Sequence, residues 1–143
     1  MEYRDLAARH GVEASVELFG PRPDVNSFLE RADVFVLPTL YETFCLAAYE
    51  AARAGVPIVA TPVSGVLELV GDEEGGLVVA RTPESVANAI GRLLEDPALG
   101  RRLADEAGRR AAAFTWNRSA ATVVDAYRRL GAVVAASSSS RST

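Results

Sequence analysis

Residues 37–60, Leu-Pro-Thr-Leu-Tyr-Glu-Thr-Phe-Cys-Leu-Ala-Ala-Tyr-Glu-Ala-Ala-Arg-Ala-Gly-Val-Pro-Ile-Val-Ala, open on the end of one apolar strand and close on another. The run Val34-Phe35-Val36-Leu37 is continuously apolar, the pattern of a strand covered on both faces in a parallel sheet. Leu46 to Ala54 reads as a helix, with Gly55 just past its end and Pro57 beyond. Pro57 to Ala60 is the next strand. Strand, helix and strand in this order imply a right-handed crossover between parallel neighbours. Two carboxylates, Glu42 and Glu50, stand in a stretch that is otherwise almost uncharged.

Outward from this stretch the alternation continues. Glu2 to His10 reads as a short helix stopped by Gly11, and Val16-Glu17-Leu18-Phe19 as a strand ended by Gly20-Pro21. A short helix covers Ser27 to Arg31, Ser64-Gly65 begins another, and Gly76 to Val79 is the last strand. Thr82-Pro83-Glu84-Ser85 is a helix start, with Thr82 as cap and Pro83 in the first turn. Val86, Ile90, Leu93 and Leu94 give that helix one buried stripe. A further helix starts at Asp96-Pro97, with Leu99, Leu103 and Ala107 on one face. The final helix starts near Trp116. The expectation is an α/β fold: a partial doubly wound parallel sheet of about four strands, followed by a helical C-terminal region. Residues 1–134 form the domain, and 135–143, ending in serines, form a tail without fixed structure.

The 143 residues fit one domain, which can bury roughly two thirds of its unfolded surface. Apolar residues make up 49%, a globular composition. A net charge of −4 argues against a nucleic-acid partner or an anionic-membrane surface. No apolar run approaches the ~20 residues of a transmembrane segment, and Met1-Glu2-Tyr3-Arg4-Asp5 does not read as a signal peptide. Cys45 is the single cysteine, so no disulfide framework and no cysteine zinc site exists. The simplest address is cytoplasmic.

The two acids admit plain structural roles. Thr39 and Glu42 have capping-box spacing, and Glu50 and Arg53 the spacing of a surface pair. The composition of the helix favours a ligand instead. Leu46, Ala47, Ala48, Tyr49, Ala51, Ala52 and Ala54 are apolar nearly all round, which marks a buried helix on which a carboxylate needs a hydrogen-bonding partner. Vicinal hydroxyls would supply one, since a carboxylate accepts two hydrogen bonds at once. The acids stand roughly 12 Å apart on a fully helical path, about the distance between a sugar and the ribose of its nucleotide carrier. Between them, the free first-turn N–H groups near Thr43 to Leu46 form a seat for a diphosphate. All of this lies at a strand's carboxyl end, where open parallel sheets bind ligands.

Glu42-x7-Glu50, set between Leu37-Pro38 and Ala54-Gly55-Val56-Pro57-Ile58-Val59-Ala60, resembles the EX7E signature of retaining family 4 glycosyltransferases (glycosyl transferases group 1). Also similar in order and spacing are Val16 to Pro21, Ala32 to Pro38, Ser64 to Val70, Gly76 to Val79, Thr82-Pro83-Glu84 and Phe114-Thr115-Trp116. The resemblance covers about Leu6 to Leu130. It implies the nucleotide-sugar-binding C-terminal domain of a GT-B enzyme with a Rossmann-like sheet. The donor is then a nucleotide-diphosphate sugar, with no cofactor and no metal. Glu42 would be the catalytic residue of the motif and face the transferred sugar. Glu50 would accept from the ribose hydroxyls. Backbone groups of Thr43, Phe44, Cys45 and Leu46 would contact sugar and phosphate, and the turn Gly20-Pro21-Arg22 would lie near the base.

Three departures from the family pattern stand out. Thr43 and Cys45 occupy positions where the family usually has glycines, and Ala47 replaces a frequent proline. The Gly-rich turn bearing an Arg and a Lys for the diphosphate has no counterpart before Met1, nor does the acceptor-binding half. The expectation is therefore a chain cut within its C-terminal domain, with an unknown acceptor bound by an N-terminal domain in cis or in trans. The chain alone would be inactive, and a non-catalytic remnant or interaction module is the competing reading. In a 3-2-1-4-5-6 sheet the first two strands are central, so their loss leaves Val16–Phe19 and Val34–Leu37 to pair directly or the first to drift.

Other conspicuous residues are read as structural. His10 sits at a helix end, Cys45 is a small buried thiol without a histidine partner, and Trp116 anchors the last helix. Asp72-Glu73-Glu74 is a solvated turn. Glu68 divides evenly between the pocket and a core or capping role.

Overall fold

A computed structural model describes residues 3–71 and 74–139. Helix α1 (Tyr3–Arg9) is stopped by Gly11 in the left-handed region, and a short 3-10 turn, Glu13–Ser15, follows. Next come α2 (Val25–Leu29), β1 (Phe35–Leu37), α3 (Leu46–Arg53), β2 (Ile58–Ala60), α4 (Ser64–Val70) and β3 (Leu77–Val78). The chain closes with α5 (Pro83–Glu95), α6 (Pro97–Ala112) and α7 (Trp116–Ser139). Thr82 caps α5 by accepting from the Ser85 amide, and Asp96 caps α6 by accepting from the Ala98 and Leu99 amides.

The sheet is parallel, in the order β1-β2-β3, with Val36 opposite Val59 and Val59 opposite Leu77. Alternation along these strands splits the core in two. Phe35, Leu37, Ile58, Ala60 and Val78 pack with α3 and α4 on one face. Val34, Val36, Val59, Leu77 and Val79 pack with α5 on the other. Helices thus cover both faces, which accounts for the continuously apolar strands. Helix α6 serves both halves, giving Ala107 and Ala111 to the first and Leu103 to the second. Small residues let α3 and α6 approach closely: a Cβ on Gly108 would lie 3.3 Å from the Ala52 carbonyl oxygen.

Three expectations need correction. The sheet has three strands among the described residues, not about four, because Val16–Phe19 joins no ladder. Val16 is extended, at φ −116° and ψ 122°, and Val16, Leu18 and Phe19 are each more than 40% exposed. Of the two outcomes open to that segment, drift is the one found. A strand needs a neighbour's N–H and C=O groups, and β1 pairs only with β2. The second correction concerns the tail: α7 continues to Ser139, past residue 135, since each added residue in a formed helix gains a hydrogen bond for little further ordering. Residues 140–143, and Asp72 and Glu73 of the expected turn, lie outside the described residues. The third is α3, which is not buried all round. Ala48, Tyr49, Ala51 and Ala52 face the core, while Leu46, Ala47, Glu50 and Arg53 face outward.

Candidate functional site

The loop between β1 and α3 is fixed at its root by Thr61, a fully buried residue that follows β2. Its amide donates to the Leu37 carbonyl at 3.1 Å, and its hydroxyl donates to the Thr39 carbonyl at 2.6 Å. Arg81, beyond β3, donates Nε–H to the same Thr39 carbonyl at 3.2 Å. A guanidinium thereby reaches across the carboxyl end of the sheet. Thr39 spends its own hydroxyl on the Tyr41 carbonyl, 3.0 Å away, so it makes no capping box with Glu42.

At the other end of the loop Cys45 occupies the left-handed region, φ 57° and ψ 70°, the only described non-glycine residue to do so. That conformation explains a glycine preference here, since a Cβ costs about 1 kcal/mol in it. Cys45 makes no side-chain cap hydrogen bond, and the Ala48 amide in the first turn of α3 donates back to the Cys45 carbonyl at 3.1 Å.

Phe44 is gripped from two sides. Its ring stacks on Tyr49, with centroids 4.5 Å apart and planes at 14°. Phe114 meets the Tyr49 ring edge-on at 5.0 Å. Its backbone touches α4, where a Cβ on Gly65 would stand 2.2 Å from the Phe44 carbonyl oxygen. The Tyr49 hydroxyl completes the group by donating to the Gly65 carbonyl at 3.2 Å. Burial, and secondarily the charge of Glu68, pushes the Tyr49 hydroxyl up to about 12.

Glu50 lies exposed on α3 and makes no ion pair with Arg53, so neither the surface pair nor the buried carboxylate is realised. It borders two cavities. One, of 610 Å³, is lined by Phe44, Leu46, Tyr49, Arg53, Phe114 and Trp116 among others. The other, of 320 Å³, lies towards α2 and includes Asn26 and Glu30. Of the residues singled out from sequence, the first cavity brings together Glu50, Phe44 and Leu46. Glu42 is half-buried, Thr43 exposed and Cys45 buried, and none of the three lines either cavity. Yet both acids bear on one atom. Burial raises the Cys45 thiol above its usual range, and the charges of Glu42 and Glu50 raise it further.

Gly20 is left-handed, and Pro21 and Arg22 are exposed. Arg22 is engaged locally, with Nε and Nη2 on the two Asp24 carboxylate oxygens at 2.8 and 2.7 Å and its guanidinium 5.1 Å from the Phe28 ring centroid. The pair holds Asp24 below the usual carboxylate range. The turn borders neither Glu50 cavity. Sequence reasoning missed Tyr49, Thr61 and Arg81. A lone tyrosine among alanines, and a threonine directly after a buried strand, were the available signals.

A parallel α/β domain with helices on both faces, and with an acid-bearing loop and helix at a strand's carboxyl end, belongs to the doubly wound class. Residues 1–111 match the family described as glycosyl transferases group 1, and the chain belongs to that family. It is 35% identical over 129 residues to D-inositol 3-phosphate glycosyltransferase of Corynebacterium urealyticum, covering 88% of this chain and 30% of that protein. Sucrose-phosphate synthase of Thermosynechococcus elongatus superposes with a TM-score of 0.84 at 33% identity, over 92% of this chain and 34% of that one. HepE of Anabaena, solved in complex with UDP, aligns with a TM-score of 0.78 at 25% identity, over 87% of this chain and 36% of that one. The fold is that of the GT-B glycosyltransferases, and the chain spans about a third of the length of these relatives. No helix among the described residues is long and apolar enough to cross a membrane.

Proposed function

We propose that this chain is the donor-binding part of a glycosyltransferase that takes a nucleotide-diphosphate sugar and transfers the sugar with retention, in the cytoplasm, to an acceptor held by a further domain. Glu50 accepts from the ribose hydroxyls. Backbone groups of Thr43, Phe44, Cys45 and Leu46 receive the sugar and diphosphate, Glu42 faces the sugar, and the Gly20-Pro21-Arg22 turn borders the base. The reading is carried by the uncapped first turn of α3 at the end of β1, with Glu50 one turn further along. The complexes of HepE with UDP and UDP-glucose support it. Catalysis is electrostatic: fixed amide dipoles oppose the charge that grows on the leaving diphosphate. Amides held at a helix start suit this, because they need no reorganisation when the bond breaks.

Titration calorimetry with UDP-, GDP- and ADP-sugars tests the reading. One of them binds weakly, and Glu50→Ala abolishes the heat. Equal binding by Glu50→Ala would overturn the assignment. A second reading, a module that binds the donor without turnover, draws on Arg22 being already engaged by Asp24. Donor binding without transfer, after an acceptor domain is supplied, would select it.

A further inference from the structure

We infer that Tyr49 is a positioning residue for the donor seat: its ring and hydroxyl together hold the Phe44-Cys45-Leu46 backbone in the one conformation that presents the first-turn amides of α3. The inference rests on the donor-binding reading above and adds to it a side chain that acts by holding the loop backbone.

The geometry is a closed ring of contacts. Tyr49 rises from the buried side of α3, opposite the outward side that carries Glu50 and Arg53. Its ring lies flat under Phe44, the residue before the left-handed Cys45. Its hydroxyl reaches the first turn of α4 and donates to the Gly65 carbonyl. Gly65 in turn presses on the Phe44 carbonyl, at a distance that leaves no room for a Cβ. Phe44 thus sits between a ring that belongs to α3 and a backbone that belongs to α4. Tyr49 links the two and fixes how far apart they stand.

The need for such a clamp follows from Cys45. A side chain at φ 57° is unfavourable, and the loop would relax towards an extended or right-handed conformation if its neighbours allowed it. Either relaxation re-aims the Cys45 and Leu46 amides. Phenylalanine at position 49 would keep the stack and lose the tie to α4. The Tyr49 hydroxyl also has a stable role as donor, because burial keeps it protonated throughout the neutral range.

The test is Tyr49→Phe, with Glu50→Ala beside it, read by two methods on the full 143-residue chain. The first is calorimetric titration with UDP, GDP and ADP from pH 6 to pH 9. The second is the amide proton–nitrogen spectrum of the ligand-free protein. Tyr49→Phe is expected to weaken binding of the accepted nucleotide about three- to tenfold at every pH, the size of one lost hydrogen bond. The Phe44, Cys45 and Leu46 amide signals move, while β2 and α6 signals and the cooperativity of melting are retained. Wild-type affinity with unmoved loop signals in Tyr49→Phe overturns the positioning role and leaves the donor-binding reading standing, because Glu50→Ala still abolishes binding. Failure of the wild type to bind any of the three nucleotides overturns both. A general loss of dispersed signals in Tyr49→Phe overturns the specific role in favour of plain core packing.

Discussion

The hydroxyl of Thr61 lies 2.6 Å from the carbonyl oxygen of Thr39, a bond between the segment after β2 and the loop after β1. It is the shortest way in which one strand's end fixes the loop that leads to α3. Thr61→Val keeps the side-chain shape and removes the donor. The Thr39 carbonyl retains Arg81, so the expected cost is about 1 kcal/mol rather than the full penalty of an orphaned group. Urea unfolding measures it, and Thr61→Ser should recover most of the loss. No change in midpoint for Thr61→Val would show that this hydroxyl adds nothing to the hold on the loop.

The left-handed backbone at Cys45 inverts an ordinary ranking. Glycine is usually less stable than alanine in a folded segment because it loses more conformational freedom. At φ 57° the order reverses, and Cys45→Gly should exceed Cys45→Ala in unfolding free energy by about 1 kcal/mol. Paired denaturant curves decide it. Alanine as the more stable of the two would mean that residue 45 leaves the left-handed region in solution.

Cys45 is also a reporter for the two acids. It is the single cysteine, so alkylation reads one thiol. Negative charge at Glu42 and at Glu50 raises the thiol pKa, so neutralising either lowers it and enlarges the thiolate fraction. Glu42→Gln and Glu50→Gln should each speed iodoacetamide labelling at pH 8, and the double variant should be faster than either. Acceleration by only one would show that the other acid points away from the start of α3.

Acid stability turns on α6. Glu106 is held below the usual carboxylate range by Arg110 first and Arg109 second, and Arg110 also pairs with Glu74. A carboxyl whose folded pKa is depressed adds stability that is present above its unfolded value, near 4.5, and is lost as pH falls through the lower folded value. Glu106→Gln should therefore flatten the dependence of melting temperature on pH below about 4.5 and leave the slope above pH 6 unchanged. An unaltered acid limb would assign acid unfolding to other carboxylates, with Asp24 beside Arg22 the next to test.

Much of this architecture was legible because apolar runs and caps are local signals. Val34–Leu37 and Pro57–Ala60 announced strands covered on both faces, and Thr82-Pro83 and Asp96-Pro97 announced two helix starts that the structure bears out. Val16–Phe19, apolar but for Glu17, forms no strand, because pairing belongs to two segments and no second segment pairs with it among the described residues. The solvent-facing side of α3 was illegible for a different reason. Alanine fits a core and a surface equally, so a helix of alanines hides its orientation until α6 is placed against it. The paired acids lie on the loop and helix that follow the carboxyl end of β1. The clamp around Phe44 joins nearby Tyr49 to Gly65 and Phe114, both far along the chain, and no spacing rule marks it.

Trp116 opens α7 with 84% of its surface exposed, and it is the one tryptophan of the chain. Its indole is therefore an optical probe of the junction between α6 and α7, not of the interior. Emission excited above the tyrosine band should be red-shifted already in the native protein and change little when β1, β2 and β3 come apart. Quenching by a ligand in the 610 Å³ cleft, which Trp116 borders, would by contrast give a large signal on a low background.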